Sequence, residues 1–558
     1  MSKPPGVLGG VRWAVVLRAV LVVATAAAGL VAPRAGAASV DCAASPAGYL
    51  QQENQQPGGT GWRSGQPVTD VSAQLWLDHT SVGCGGTVGV HVAATGQVAI
   101  SVWRLGWYGG RGGREVATYT SMPSVLIPPG WPWPEVAASG GGTPAALPPQ
   151  TSAPAALSSA NGAPPPADSL PTYASASAAD WPTAMSIAIT PDFTPGVYVV
   201  LAQGPDGGPT AAPLIVRDDV GAHALTVIEP TLTWQAYNKW GGANLYQYPT
   251  ADGVSGDSQA DVVTFDRPYV SLTGGNELLQ QDLGLIQLAE RDGLDVGYIA
   301  DEDLETPTFV LTQTHALVMS RHDEYWSAGM RATTNRLVNG GVNLLDLGGN
   351  SMYHAGRFLD SPRRWYQVRK AHNGLHAHDG AAQVSYRFVD APQNDPQARL
   401  LGENFNCIST WLPYHVTDSR FWAWSAQHVR AGQSFPNIVG SESDGPTGGY
   451  PAGTVFPSLS PIYCIHAGHD AVAGTSYRVV GDHSAGVVDM GSMNWLCNLA
   501  GVASCPGYRL STAAGRRFVT RTTETLLREA AVGPLGLRHP ARRSGNPRVR
   551  PAYDAQVA

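Results

Sequence analysis

The sequence predicts an α/β protein in which an N-terminal β-sandwich precedes a doubly wound sheet that is followed by β-rich additions. Three observations carry that reading. Residues from about 47 to 218 alternate at a two-residue period, and from Ala224 strand-like and helix-like stretches take turns. Within the second region His315–Asn350 reads as strand, helix, strand, a unit that needs a parallel sheet.

At 558 residues the chain is too long for one core. Its 65 Gly and 43 Pro, with only 14% charged residues, imply many turns and much β structure. A net charge of -8 gives no electrostatic case for nucleic acid. At the N-terminus, Lys3, Arg12 and Arg18, the apolar run Ala19–Ala32 and the small residues Ala35-Gly36-Ala37 form the parts of a secretory signal over residues 1–37. The run is too short to span a bilayer comfortably, so a secreted protein with no membrane segment after cleavage is expected, a retained anchor being the alternative. Six cysteines then remain, an even count that favours disulfides in an exported chain. Order along the chain suggests Cys42–Cys84, Cys407–Cys464 and Cys497–Cys505, one choice among fifteen pairings.

The sandwich is expected over 38–218, with strands at Ala73–Trp76, Thr87–Val92, Val98–Leu105, Ser186–Ile189 and Val197–Leu201 between Gly and Pro clusters. From 123 to 179 the composition falls to Pro, Ala, Ser and Gly, which cannot bury enough apolar surface to offset chain entropy, so a disordered insertion is expected there. The α/β domain is expected over 222–531. Its elements are a strand at Ala224–Ile228, a helix at Asn276–Asp292, strands at Leu294–Ile299, His315–Ser320 and Val342–Leu347, and a closing helix from about Ala514 to Ala531. Residues 532–558 read as a disordered basic tail.

In an open parallel sheet, ligands sit beyond the carboxyl ends of the strands. Those ends carry Thr233–Tyr246, Arg321–Trp326 and Gly348–Asn350, so Tyr237 and Tyr246 can converge on Glu324. Phenolate and carboxylate oxygens are hard ligands suited to ferric iron, although plain aromatic packing explains the same residues. Asp323 and Ser327 are candidates to cap the following helix. The motifs of serine hydrolases, zinc proteases, phosphate-binding loops and dinucleotide folds are absent, which leaves activated water as the leading hydrolytic mechanism.

The strings TWQAYNKWGGANLY, HDEYWS, LGGN, VGSESDG and GSMNW, in that order, resemble the family of the N,N-dimethylformamidase large (beta) subunit in its C-terminal domain. RLGWYGG and GVYVVLAQ resemble the sandwich found ahead of that domain in exported bacterial members. The resemblance implies a glutamine-amidotransferase or flavodoxin-like sheet and an amide hydrolase with one ferric ion, Fe(III), per chain. Carried over, the metal ligands fall on Tyr237, Tyr246 and Glu324, with Tyr269 competing for the second tyrosine position, and His322, Asn350 and Glu442 stand around them as catalytic residues. The implied substrate is a small amide, with room for a small partner subunit or a homo-oligomer. Two other readings compete: a non-catalytic extracellular binding protein that keeps the fold, and metal-free glycan hydrolysis by Glu324 and Glu442.

Overall fold

A computed structural model describes residues 44–46, 48–64, 73–127, 174–250, 253–255, 259–269, 281–307, 311, 313–359, 363–370 and 386–541. The expected signal, Cys42, most of the Pro/Ala/Ser insertion and the end of the basic tail lie outside them. The protein is a mixed α/β structure built mostly of strands in several sheets.

Two sheets make up the N-terminal region. One orders Ser81–Gly83, Thr210–Arg217, Gly196–Gln203, Val98–Leu105 and Gly113–Ser121; the other centres on Thr87–Ala94, paired with Ala73–Leu77, Val125–Leu126 and Thr183–Ala188. Alternation along the strands sends Val88, Val90 and Val92 of the second sheet into one cluster with Ile100, Val102, Val200 and Leu214 of the first. Both ends of the Pro/Ala/Ser stretch are packed, Val125–Leu126 by pairing with Thr87–Ala94 and Ala178 by burial beside Trp76.

The central sheet has seven strands in the order Val296–Ala300, Leu225–Glu229, Ala316–Met319, Asn343–Asp346, Ala485–Asp489, His469–Val480 and Val455–Cys464. The first five run parallel, and the last two add antiparallel. The strands expected at Leu294–Ile299 and His315–Ser320 therefore flank Leu225–Glu229 in parallel rather than forming a hairpin. Successive residues alternate between faces. Val227, Val318, Leu345 and Val488 meet the helices Leu283–Arg291 and Ala513–Val532, while Ile228, Leu317, Leu344 and Val487 meet Ala328–Asn339. Of the helix expected over Asn276–Asp292, residues 276–280 lie outside the described residues.

Ser327 caps Ala328–Asn339, its hydroxyl accepting the Met330 N–H at 3.0 Å. Asp323, the other candidate cap, instead accepts the Trp326 indole N–H at 2.8 Å. Cys407–Cys464 and Cys497–Cys505 form disulfides, the first tying the long hairpin strand Asn404–His415 to the sheet edge. Cys84 is also disulfide-bonded. Beyond the closing helix, Leu535 is fully buried and the His539 ring stacks on Trp422, so the segment after 532 begins as packed chain. Among the described residues no helix is long and apolar enough to cross a membrane.

Candidate functional site

At the carboxyl edge of the parallel strands three loops come together. Leu225–Glu229 leads into the short helix Thr231–Tyr237, Ala316–Met319 into Arg321–Glu324, and Asn343–Asp346 into Gly348–Asn350. The glycines of the last loop are dictated by close approach. A Cβ on Gly348 would collide with the Arg321 carbonyl, and one on Gly349 would stand 3.1 Å from the Glu442 carbonyl and from the Ser492 and Met493 nitrogens. Asn350 takes the left-handed conformation, φ 56°, that asparagine tolerates.

Glu324 is the hub. Its backbone N–H donates to the Thr233 hydroxyl at 3.0 Å, which ties it to the helix that ends at Tyr237. The Tyr237 hydroxyl donates to Glu324 Oε2 at 2.8 Å and the Tyr246 hydroxyl donates to the same oxygen at 2.6 Å. His322 Nε2 lies 3.3 Å from that oxygen and 3.9 Å from Glu442 Oε2, and Asn350 Nδ2 donates to Glu442 at 2.5 Å. Tyr237, Tyr246, Glu324, His322, Asn350 and Glu442 thus meet in one place. Tyr269 does not join them; it lies beside Gln235, in the field of Glu302.

Two further groups were not legible in sequence. His354, on the strand His354–Phe358, brings Nε2 to 3.1 Å from Glu324 Oε1. Lys370 holds its ammonium 4.1 Å from the Tyr246 ring centre while donating to the Leu245 carbonyl at 2.8 Å and to the Tyr325 hydroxyl at 3.1 Å.

Glu324, His322 and His354 are almost wholly buried, whereas Tyr237, Tyr246 and Glu442 are partly exposed, so the site opens on the tyrosine and Glu442 side. Burial raises both tyrosine hydroxyls well above the ordinary phenol range, and the Glu324 charge pushes the same way. Burial works against the Glu324 charge too, but hydrogen bonding to His322 and His354 brings its carboxyl well below the usual range. Burial and the Lys370 charge hold His354 down to about 4, and burial lowers Lys370 itself to about 8.

Both histidines face more than one acceptor. His354 faces the Tyr386 carbonyl with Nδ1 at 3.1 Å and Glu324 with Nε2, two acceptors for a ring that is neutral at pH 7. His322 likewise faces the Gly349 carbonyl with Nδ1 at 3.4 Å and two carboxylates with Nε2. Asn350 Oδ1 is buried with no hydrogen-bond partner among the described residues. These acceptors around convergent phenol and carboxylate oxygens fit a hard cation, which would turn both phenols into anionic donors.

Fold and site together define a mixed α/β protein with phenol and carboxyl oxygens converging at the carboxyl edge of its parallel strands. Residues 142–509 match the N,N-dimethylformamidase beta subunit-like, C-terminal family, and the chain belongs to that family. The match begins well before the α/β region at Ala224 and ends shortly before the closing helix. No curated protein matches the chain.

Proposed function

We propose that the chain is a secreted amide hydrolase dependent on a single ferric ion, acting on a small amide. The observation that carries this reading is the convergence of the Tyr237 and Tyr246 hydroxyls on one oxygen of Glu324, in a pocket where both histidines face more than one acceptor. Tyr237, Tyr246 and Glu324 would hold the ion. When bound, it supplies Lewis acidity that polarises an amide carbonyl and makes water a nucleophile near neutral pH.

The chain's own residues handle position and proton. Glu442 is 17% exposed against 4% for Glu324, so it is the carboxyl that faces an entering substrate. Burial raises its pKa, with Glu324 adding to the shift, which favours a carboxylic acid that can protonate a leaving amine. Asn350 fixes that carboxyl, and His322 Nε2, between Glu324 and Glu442, is placed to return the proton. His354 and Lys370 hold Glu324 and the Tyr246 ring from behind.

The parallel strands with helices on both faces support a doubly wound sheet over 222–531, and the shared cluster of the two N-terminal sheets supports a sandwich over 38–218. Disulfides and the charged, apolar and small-residue pattern of residues 1–37 support export. The family's name describes a beta subunit, which supports a partner subunit. The test is metal analysis and visible absorption of the purified protein together with hydrolysis of a panel of small amides. A colourless, iron-free protein with no amidase activity would favour the extracellular binding protein instead.

A further inference from the structure

Beneath this site lies a second group of acids that the proposed hydrolysis does not use. Asp346 and Asp489 are the last residues of adjacent parallel strands and stand directly opposite each other, so both point to one face of the sheet. Asp444, from the hairpin strand Ser434–Gly445, completes a trio with one oxygen each within 4.8 Å of the others. All three are fully buried. Backbone N–H groups hold one side of each: Gly348 donates to Asp346 Oδ1 at 3.0 Å, Gly491 to Asp489 Oδ1 at 2.8 Å, and Asn350 to the two Asp444 oxygens at 2.9 and 3.1 Å. Among the described residues Asp489 Oδ2 has no hydrogen-bond partner, while the Ser351 side chain stands beside Asp346 as a hydrogen-bonding neighbour.

A fourth acid supplies the independent observation. Glu403 is fully buried and, among the described residues, neither of its carboxylate oxygens has a hydrogen-bond partner. It lies beside the trio in space that two glycines leave open, since a Cβ on Gly474 would collide with its Oε1 and one on Gly491 would stand 2.9 Å from its Oε2. Asp444 and Asp346 are the charges that act on it most strongly. Among the described residues no Lys or Arg forms an ion pair with any of the four. Asp489 and Glu403 thus keep buried carboxyl oxygens without a partner among the described residues, and with His322 the basic side chain acting on Asp346 and Asp444, such a cluster is costly if ionised and uncompensated.

We infer that Asp346, Asp444 and Asp489, with Glu403 as the neighbouring acid, bind a structural divalent cation of the calcium class, distinct from the tyrosine–glutamate centre. The donors are all hard oxygens, with no His or Cys among them, which disfavours zinc and copper. Calcium takes carboxylate oxygens at about 2.3–2.6 Å, so ligands on opposite sides of it stand about 5 Å apart, in keeping with the spread of the trio. Magnesium holds its ligands closer and keeps several waters, which suits a dry cluster poorly.

The experiment uses the full purified chain, stripped with a chelator and then titrated with calcium or magnesium, with metal content and thermal unfolding as readouts. The expected result is one calcium per chain and a midpoint that rises by several degrees with calcium and much less with magnesium. Asp489→Asn should abolish the calcium response and, by removing one of the crowded charges, leave the stripped protein at least as stable as stripped wild type. A wild-type chain that takes up no calcium and unfolds at the same temperature with and without chelator would overturn the proposal and identify the four as protonated acids. An equal response to magnesium would overturn the calcium assignment. Iron content and colour are read on the same samples, so loss of the tyrosine–glutamate reading would be seen separately.

Discussion

The hydroxyls of Tyr237 and Tyr246 lie 2.9 Å apart, their rings stacked with centroids 4.4 Å apart, and both point at Glu324 Oε2. Two phenols and a carboxylate on one spot form a hydrogen-bonded cluster, and under the proposed ferric reading they would become a trianionic pocket if a cation replaced the two protons. The same side chains would then serve both states with little rearrangement.

Glu324→Gln keeps the size of the hub and removes its charge. The amide would also turn a donor toward groups that now meet an acceptor, so the variant is expected to lose iron and visible absorption together. Amide hydrolysis should fall at least ~100-fold while far-ultraviolet circular dichroism stays unchanged. Retention of full iron would remove Glu324 from the ligand set.

Glu442→Gln addresses proton transfer apart from metal binding. The Gln side chain can still meet Asn350 but cannot give a proton to the leaving amine. Iron content should remain and kcat should drop by roughly 10²–10⁴-fold with a smaller change in KM. An unchanged kcat would assign the proton to another group, with His322 the next candidate.

The strand–helix–strand unit around Ala328–Asn339 was legible because its periods and its Ser327 cap are local. The tyrosines and Glu324 were legible because strand ends in a parallel sheet face one crevice whatever the details between them. His354 was not, since it reaches Glu324 from a small separate sheet in which His354–Phe358 pairs with Tyr325–Ser327. No local pattern encodes that pairing. The carboxyl cluster was hidden for a related reason: Asp346 and Asp489 are 143 residues apart in sequence and adjacent only because their strands pair.

Arg104 and Glu290 join the N-terminal strands to the helix Leu283–Arg291 through two hydrogen bonds of 2.7 and 3.0 Å, with both side chains fully buried. Removing either partner strands the other charge, so Arg104→Met and Glu290→Leu are each expected to cost ~3–5 kcal/mol. Arg104→Met combined with Glu290→Leu should recover much of that loss. A double-mutant cycle by urea unfolding checks this, and additive single effects would show that the pair is uncoupled.

His223 sits between Asp218 at 3.3 Å and Asp295 at 2.8 Å. Burial alone would lower its pKa, but the hydrogen bonds to Asp218 and Asp295 raise it to about 9. A folded pKa above the unfolded value of ~6.5 means the stabilisation is fully present below that pH and is lost as pH rises through about 9. The thermal midpoint of wild type should therefore decline between those values. His223→Gln should be less stable by ~1–3 kcal/mol at pH 6 and show a flatter decline. Parallel curves for the two proteins would place the titration elsewhere.

The second tyrosine is the sharpest division between the sequence and the structure, because Tyr246 and Tyr269 both followed from the motif region and only one reaches Glu324. Tyr246 is 2.6 Å from the carboxylate oxygen and carries Lys370 over its ring, which would steady the anionic form of the phenol. Tyr269 has neither contact and packs in the core beside Gln235. Tyr246→Phe and Tyr237→Phe should each weaken and shift the visible band of the iron-loaded protein, because each removes one phenolate from the ion. Tyr269→Phe should leave the band unchanged and cost only stability, through the hydroxyl's lost polar neighbours. If Tyr269→Phe moves the band and Tyr246→Phe does not, the loop bearing Tyr246 must be displaced when the ion binds, and the ligand set would be Tyr237, Tyr269 and Glu324.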